Sequence, residues 1–482
     1  MTYPFISDVF LLQNETGRTL YNECARHMPV FDYHCHLSVD EIVNNGNFEN
    51  ITRAWLGTDH YKWRAMRANG VDERFITGNA SDREKFGAWA QTLPYLLRNP
   101  LFHWTYLELK AYFGIEDVLL EPSTADTLYG RLNELLQTES FKVRRLLTRS
   151  NVRVLCTTDD PADTLDRHEM LEAEESFPVR VVPSFRPDPA FLIDRPERFN
   201  MWIERLEETS HMEIGTLQAL VSALLKRQEA FHEAGCRSSD HGIEFPYSRT
   251  FTEHEAERIF DSVRSGKAVS HDHTLLFKSY LLRICAEMNA HMGWVMQLHF
   301  GALRNNNTRM YRNLGPDSGF DSMGDFEIAR PLIKYLDELD ERKMLPKTVL
   351  FNINPRDNAL VASVAGCFQD SPVPGKVQFG PAWWFNDTKG GIIRQLNTIS
   401  DQGLLGRFIG MTTDSRSFFS FPRHDYFRRI LCSLIGGEVA SGELPDDTSL
   451  LRDLVENICY HNARRYFGIE TESFQQHVPR DF

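Results

Sequence analysis

Residues 29–37 read PVFDYHCHL, and the order of residue types in this stretch governs how the rest of the chain is read. Val30 and Phe31 are β-forming, and His34, Cys35 and His36 close the run. In an extended strand, residues i and i+2 point to the same side, so the imidazoles of His34 and His36 can reach one ion. A neutral imidazole is a good ligand for zinc and similar divalent metals. His271 and His273 have the same spacing, but they lie in a polar stretch ahead of helical sequence and read as a solvated helix start. Strand context, rather than spacing, separates the two pairs.

Seven more segments repeat the pattern of a short apolar run ending in polar residues: Val152–Asp159, Val179–Arg186, Ala234–Glu244, Trp294–Arg304, Thr348–Asn354, Val377–Asn386 and Arg407–Arg416. The fourth strand of the series, Ala234–Glu244, is poor in β-formers. Amphipathic helical sequence fills most of the gaps. Strands buried on both faces and separated by helices imply a parallel sheet, and eight repeats predict an α/β chain folded as a (β/α)8 barrel. Polar residues collect at the strand ends: His34 and His36, Arg186, Asp240 and His241, His299, and Asp414 with Arg416. A barrel places its active site on that face.

Two gaps are too long for simple crossovers. Residues 38–150, rich in aromatics and helix formers, predict a helical insertion over the mouth of a barrel made from residues 1–37 and 151–482. A second helical insertion, Phe245–Gly293, follows the fourth strand, and the tail from Arg423 onward reads as terminal helices.

Composition narrows the function classes. A net charge of −14 argues against a nucleic-acid-binding surface, so an anionic substrate has to be held by local cations. No apolar run approaches the roughly 20 residues of a membrane span, and the N-terminal residues lack the pattern of a secretory signal. A cytoplasmic location is the expectation. The eight cysteines form no CxxC pair and read as reduced, mostly buried thiols.

Asp414 ends the eighth segment, which neighbours the first in a closed barrel, so it can complete a three-ligand site with His34 and His36 and leave positions open for water or substrate. The bland reading is a helix cap. His299, across the mouth, is open to three functional roles, as fourth ligand, partner of a ligand or acid–base group, and to a bland one as a packed histidine.

HxH after the first strand, His after the fifth and Asp after the eighth resemble the amidohydrolase superfamily. The fourth strand has no lysine to bridge two metals and the sixth has no histidine, so one divalent ion is expected, with zinc as its identity. A more specific resemblance is to the uronate isomerase family. It is carried by VFDYHCHL, WLGTDHYKWRAMR (55–67), PSFRPD (183–188), SDHG (239–242), QLHFG (297–301), PAWWFN (381–386) and TDSR (413–416). The resemblance implies isomerisation of D-glucuronate to D-fructuronate and of D-galacturonate to D-tagaturonate. It also implies that His60 and Tyr61 close over the substrate from the insertion.

The residues suit that chemistry. A uronate carboxylate fits an arginine fork, for which Arg186 and Arg416 are the candidates. Trp383 and Trp384 either wall the sugar or fill the core. Proton transfer between C2 and C1 needs a base and an acid, and Asp414 and Tyr61 both stand as candidates. The rival expectations are a mononuclear hydrolase of amides or esters and a sugar-acid-binding barrel without catalysis. A barrel of this size also commonly forms a homo-oligomer.

Overall fold

The computed structural model describes residues 5–470. Its strands are β1 (Val30–Asp32), β2 (Val152–Cys156), β3 (Arg180–Val182), β4 (Ser238–Ile243), β5 (Val295–Phe300), β6 (Ala302–Leu303), β7 (Ser322–Met323), β8 (Lys347–Asn352) and β9 (Val377–Phe379). β1–β2–β3 and β4–β5–β8–β9 are two parallel sheets. Single parallel bridges, Asp159 to Phe185 and Phe185 to Ser239, join the end of β2 through β3 to β4. Seven of the eight expected segments therefore lie side by side in sequence order. All six residues of β5 are buried, because helices cover the outer face and side chains fill the inner one. The weakly β-forming β4 is held by its ladder to β5 over six residue pairs, so tertiary pairing overrides propensity. The antiparallel pair β6–β7 was not anticipated.

The expected eighth strand, Arg407–Arg416, is a correction: it is not a strand. Gly410 and Asp414 take φ of 76° and 47°, which interrupts extended geometry. Only glycine fits at 410, where a Cβ would lie 2.2 Å from the Ile458 carbonyl oxygen. The segment still runs beside the continuation of β1. Tyr33 donates its hydroxyl to Gly410 O (2.7 Å), Asp414 N donates to His34 O (3.2 Å) and His36 N donates to Ser415 O (2.9 Å). Among the described residues no backbone ladder joins it to β9, so the sheet is an α/β array without barrel closure.

Between β1 and β2 the chain is helical, with Val39–Asn44, Ile51–Leu56, His60–Ala68, Asp82–Thr92, Pro100–Phe113, Ala125–Leu136 and Val143–Arg149. Aromatic contacts seat these helices on the segment after Arg416: Phe113 stacks on Phe419 (5.7 Å) and Phe48 lies 5.3 Å from the same ring. Phe113 and Phe419 are buried, and a fully buried ring contributes roughly 1.5–3 kcal/mol. Between β4 and β5 lie Glu253–Arg264 and His271–Met292; Ser270 caps the latter, and His271 and His273 are exposed there. The C-terminal helices begin at Pro422–Ser441. All eight cysteines are unpaired, with Cys367 exposed. No helix among the described residues is long and apolar enough to cross a membrane.

Candidate metal centre and active site

The continuation of β1 is pinned before any ligand is considered. Buried Asp32 accepts hydrogen bonds from Thr412 Oγ1 (2.6 Å), Thr413 N (2.8 Å) and Thr413 Oγ1 (2.5 Å), while His34 N donates to Thr412 Oγ1 (3.1 Å). These bonds set the register of the 410–416 segment against β1. They bring Asp414 Oδ1 to 3.0 Å from His34 Nε2 and 3.2 Å from His36 Nε2. Asp414 takes a left-handed conformation (φ 47°), which Asp tolerates better than most residues and which turns its carboxylate toward the imidazoles.

A second carboxylate lies behind the first. Asp240, on β4 and fully buried, places Oδ1 2.7 Å from His299 Nδ1 and Oδ2 3.1 Å from an Arg186 guanidinium nitrogen and 3.7 Å from His34 Nδ1. Arg186 Nε also donates to Asp188 Oδ2 (2.8 Å), whose carboxylate accepts from Gly242 N. A Cβ at Gly242 would lie 2.3 Å from the Arg186 guanidinium, so a side chain there would displace Arg186 from its pair with Asp188.

The electrostatics follow from this packing. Burial raises Asp414, but its hydrogen bonds to His34 and His36 hold it well below the carboxylate range. Burial likewise raises Asp240, and Arg186, His299 and His34 reverse the shift. Burial lowers His34, yet its two carboxylate neighbours win and it is raised. His36 is lowered to about 4 by burial, and His299 is lowered for the same cause. Two anionic carboxylates around three imidazoles make a site built for positive charge.

Two groups of donors have ligand atoms within 4.8 Å of one another: His34, His36 and Asp414, and His34, Asp240 and His299. They share His34 through different nitrogens. The first group is partly open to solvent, whereas the second is fully buried. With an ion at the first group, Asp240 faces the remaining His34 nitrogen, the common arrangement of a carboxylate behind a ligating histidine. The donor set, imidazoles plus a persistently ionised carboxylate, fits one divalent ion.

The aromatic residues line up on two sides. Trp383 packs edge-on to His299 (4.8 Å), and His299 stacks on Phe351 (3.9 Å). Trp384 meets His60 (5.7 Å), and His60 stacks on Tyr61 (5.0 Å). Both tryptophans are buried, and Trp384 adopts φ 49°, a strained position for a bulky residue. His60 and Tyr61 open the helix His60–Ala68, whose cap Asp59 accepts from Tyr61 N and Lys62 N. Arg416 is partly exposed, and its ion pair is with Asp317 at 3.6 Å. The structure thus brings His34, His36, His299, Asp414 and Arg186 into one cluster, with Trp383 against it. His60, Tyr61 and Trp384 form a second layer beside it.

Sequence reasoning noted Asp240 without giving it a role and passed over Asp32. An Asp inside a buried strand was the available signal, because a buried charge must be paired or bind a metal.

Comparison with known proteins agrees with this geometry. The family model for glucuronate isomerase matches residues 2–467. The chain is 51% identical to the uronate isomerase of Bacillus licheniformis over 470 residues (97% of this chain, 98% of that one). It is 50% identical to that of Bacillus subtilis over 469 residues (97% and 99%). The crystal structure of uronate isomerase from Thermotoga maritima superposes with a TM-score of 0.90 at 33% identity, covering 96% of this chain and all of that one. The chain belongs to the glucuronate isomerase family.

Proposed function

We propose that this chain is a uronate isomerase, interconverting D-glucuronate with D-fructuronate and D-galacturonate with D-tagaturonate. The observation that carries the reading is Asp414 Oδ1 held between His34 and His36, with Arg416 two residues further along the same segment. A proton-handling carboxylate and an anion-binding arginine are thereby supplied by one short stretch. The family supports the same conclusion.

The reaction moves hydrogen without changing composition. The proton on C2 leaves, a proton is delivered to C1, and the hydroxyl proton on O2 is exchanged for one on O1 as the carbonyl shifts from C1 to C2. Arg416, less committed to protein carboxylates than Arg186, takes the substrate carboxylate, and Arg186, oriented by Asp240, supplies a second cationic group. Asp414 and the Tyr61 hydroxyl are the proton carriers. Burial raises the Tyr61 phenol well above 10, so it acts as a donor. Burial lowers His60, which leaves it neutral and able to hydrogen-bond a sugar oxygen. Trp383 and Trp384 supply the apolar wall.

One divalent ion, which we take to be zinc, would be held by His34, His36 and Asp414, with Asp240 and His299 on the other side of His34. When bound, it supplies electrostatic stabilisation to oxygen atoms that gain negative charge. The bonds of the 410–416 segment to the continuation of β1, with that of Gln378 Nε2 on β9 to Arg407 O (3.1 Å), support reading the array as a (β/α)8-type barrel whose eighth position is filled without a strand, and we take residues 38–150 as its helical cover.

The test is incubation of purified, metal-replete protein with each uronate in D2O. Ketouronate formation with solvent deuterium at C1 is expected. No turnover of either uronate would sink the reading, and hydrolysis of amide or ester substrates would replace it with a hydrolase.

A further inference from the structure

Arg423 is an unexpected side chain for its place in the fold. It occupies the first turn of the helix Pro422–Ser441, is 6% exposed, and so combines two unfavourable placements. A buried cation loses its hydration, and a cation at a helix N-terminus opposes the helix dipole. Its surroundings make it tenable. Asp387, just after the short turn Trp384–Asn386, lies 3.7 Å from one guanidinium nitrogen, and the Asp59 charge also faces it, with the Glu108 carboxyl nearby. The guanidinium lies over the ring of Trp104 (4.1 Å to the centroid) and beside that of Tyr61 (5.8 Å). Tyr61 in turn meets Trp104 edge-on (6.4 Å).

This one side chain therefore ties four distant pieces of sequence together. They are the Asp59-capped turn carrying His60 and Tyr61, the helix Pro100–Phe113 with Trp104 and Glu108, the turn after β9, and the C-terminal helices. Lys62, bonded to Asp59 at 2.6 Å, is the second cation of the group. The small cavity lined by Arg423, Asp387, Thr412, Thr413 and Tyr426 encloses about 10 Å³, room for one water and far too small for a six-carbon acid. That cavity leaves a uronate no room beside the Arg423 guanidinium, so the groups Arg423 holds are its link to the reaction.

We propose that Arg423 is a positioning residue for the isomerisation, acting through Tyr61: its stacking on Trp104 and its pairing with Asp387 lock the first turn of the helix His60–Ala68 in place. The proposal rests on the isomerase reading. Two aromatic contacts and one ion pair constrain the guanidinium plane, so a neutral unbranched chain of similar length keeps the volume but loses the clamp.

The test is a double-mutant cycle on the full-length, metal-replete enzyme with D-glucuronate, using Arg423→Met, Tyr61→Phe and their combination. Arg423→Met is expected to lower kcat roughly 10- to 100-fold while KM moves less than about threefold, because misplacing a catalytic group by an ångström has that order of effect. Arg423→Lys, which keeps the charge without the planar fork, is expected to fall between. In the Tyr61→Phe background, Arg423→Met is expected to add no further loss. Additive losses, or an unchanged kcat in Arg423→Met, would overturn the proposal while leaving the isomerase reading intact. An inactive parent enzyme overturns that reading and the proposal with it. If Arg423→Met does not fold, Asp387→Asn breaks the same pair and is read in the same cycle: absorption of its loss by Tyr61→Phe supports the proposal, and additivity refutes it.

Discussion

Asp240 Oδ1 lies 2.7 Å from His299 Nδ1, on adjacent parallel strands with the carboxylate fully buried. The same carboxylate faces Arg186 and the far nitrogen of His34, so one side chain orients a candidate anion-binding group and a metal-ligand candidate together.

Asp240→Asn is therefore expected to destabilise the fold by about 3 kcal/mol, since three cationic or protonatable partners lose a buried counter-charge. It is also expected to raise KM for the uronate through a misdirected Arg186. Denaturant titration and steady-state kinetics check both, and unchanged values in each would remove Asp240 from this role.

The register of the 410–416 segment rests on Asp32, which accepts from Thr412 and from Thr413 twice. Asp32→Ala leaves the buried Thr413 N–H without its acceptor and is expected to cost about 1–3 kcal/mol. Because Asp414 is placed by that register, the variant is also expected to retain less metal. Metal analysis after dialysis against a weak chelator reads this directly, and full retention would show that Asp414 is placed by other contacts.

Metal binding to the native state alone is expected to stabilise it, by about 2.7 kcal/mol at a hundredfold excess over Kd. Chelation should lower the melting temperature, readdition of zinc should restore it, and His36→Asn should blunt the response. A melting curve indifferent to chelator and to added metal would argue against a resident ion.

Glu108 provides a pH test away from the metal. Burial raises it to about 7, with Lys62 and Arg423 opposing. The unfolded chain ionises this group near 4.5 and the folded chain near 7. Its contribution is thus fully present below pH 4.5 and is lost as pH rises to 7, to the extent of about 3 kcal/mol. Glu108→Gln cannot ionise. Its stability relative to the parent is expected to climb by that amount between pH 4.5 and 7 and then level off, as measured by urea unfolding across the range. A pH-independent difference would place the ionisation of Glu108 elsewhere.

What the sequence by itself determined was periodic and local. The two-residue period of an extended chain put His34 and His36 on one side, and the recurrence of apolar runs with polar ends marked seven of the parallel neighbours. The motifs around His60, Arg186, His299 and Asp414 carried the family resemblance. Tertiary structure alone decided the rest. The Arg407–Arg416 segment reads as a strand, but crowding at Gly410 and the left-handed turn at Asp414 prevent one. The Asp32, Asp240 and Arg423 contacts join residues tens to hundreds of positions apart, and no local pattern encodes which buried charge will meet which partner. That choice is made by packing, where each buried charge must find its counter-charge or forfeit the stability of the fold.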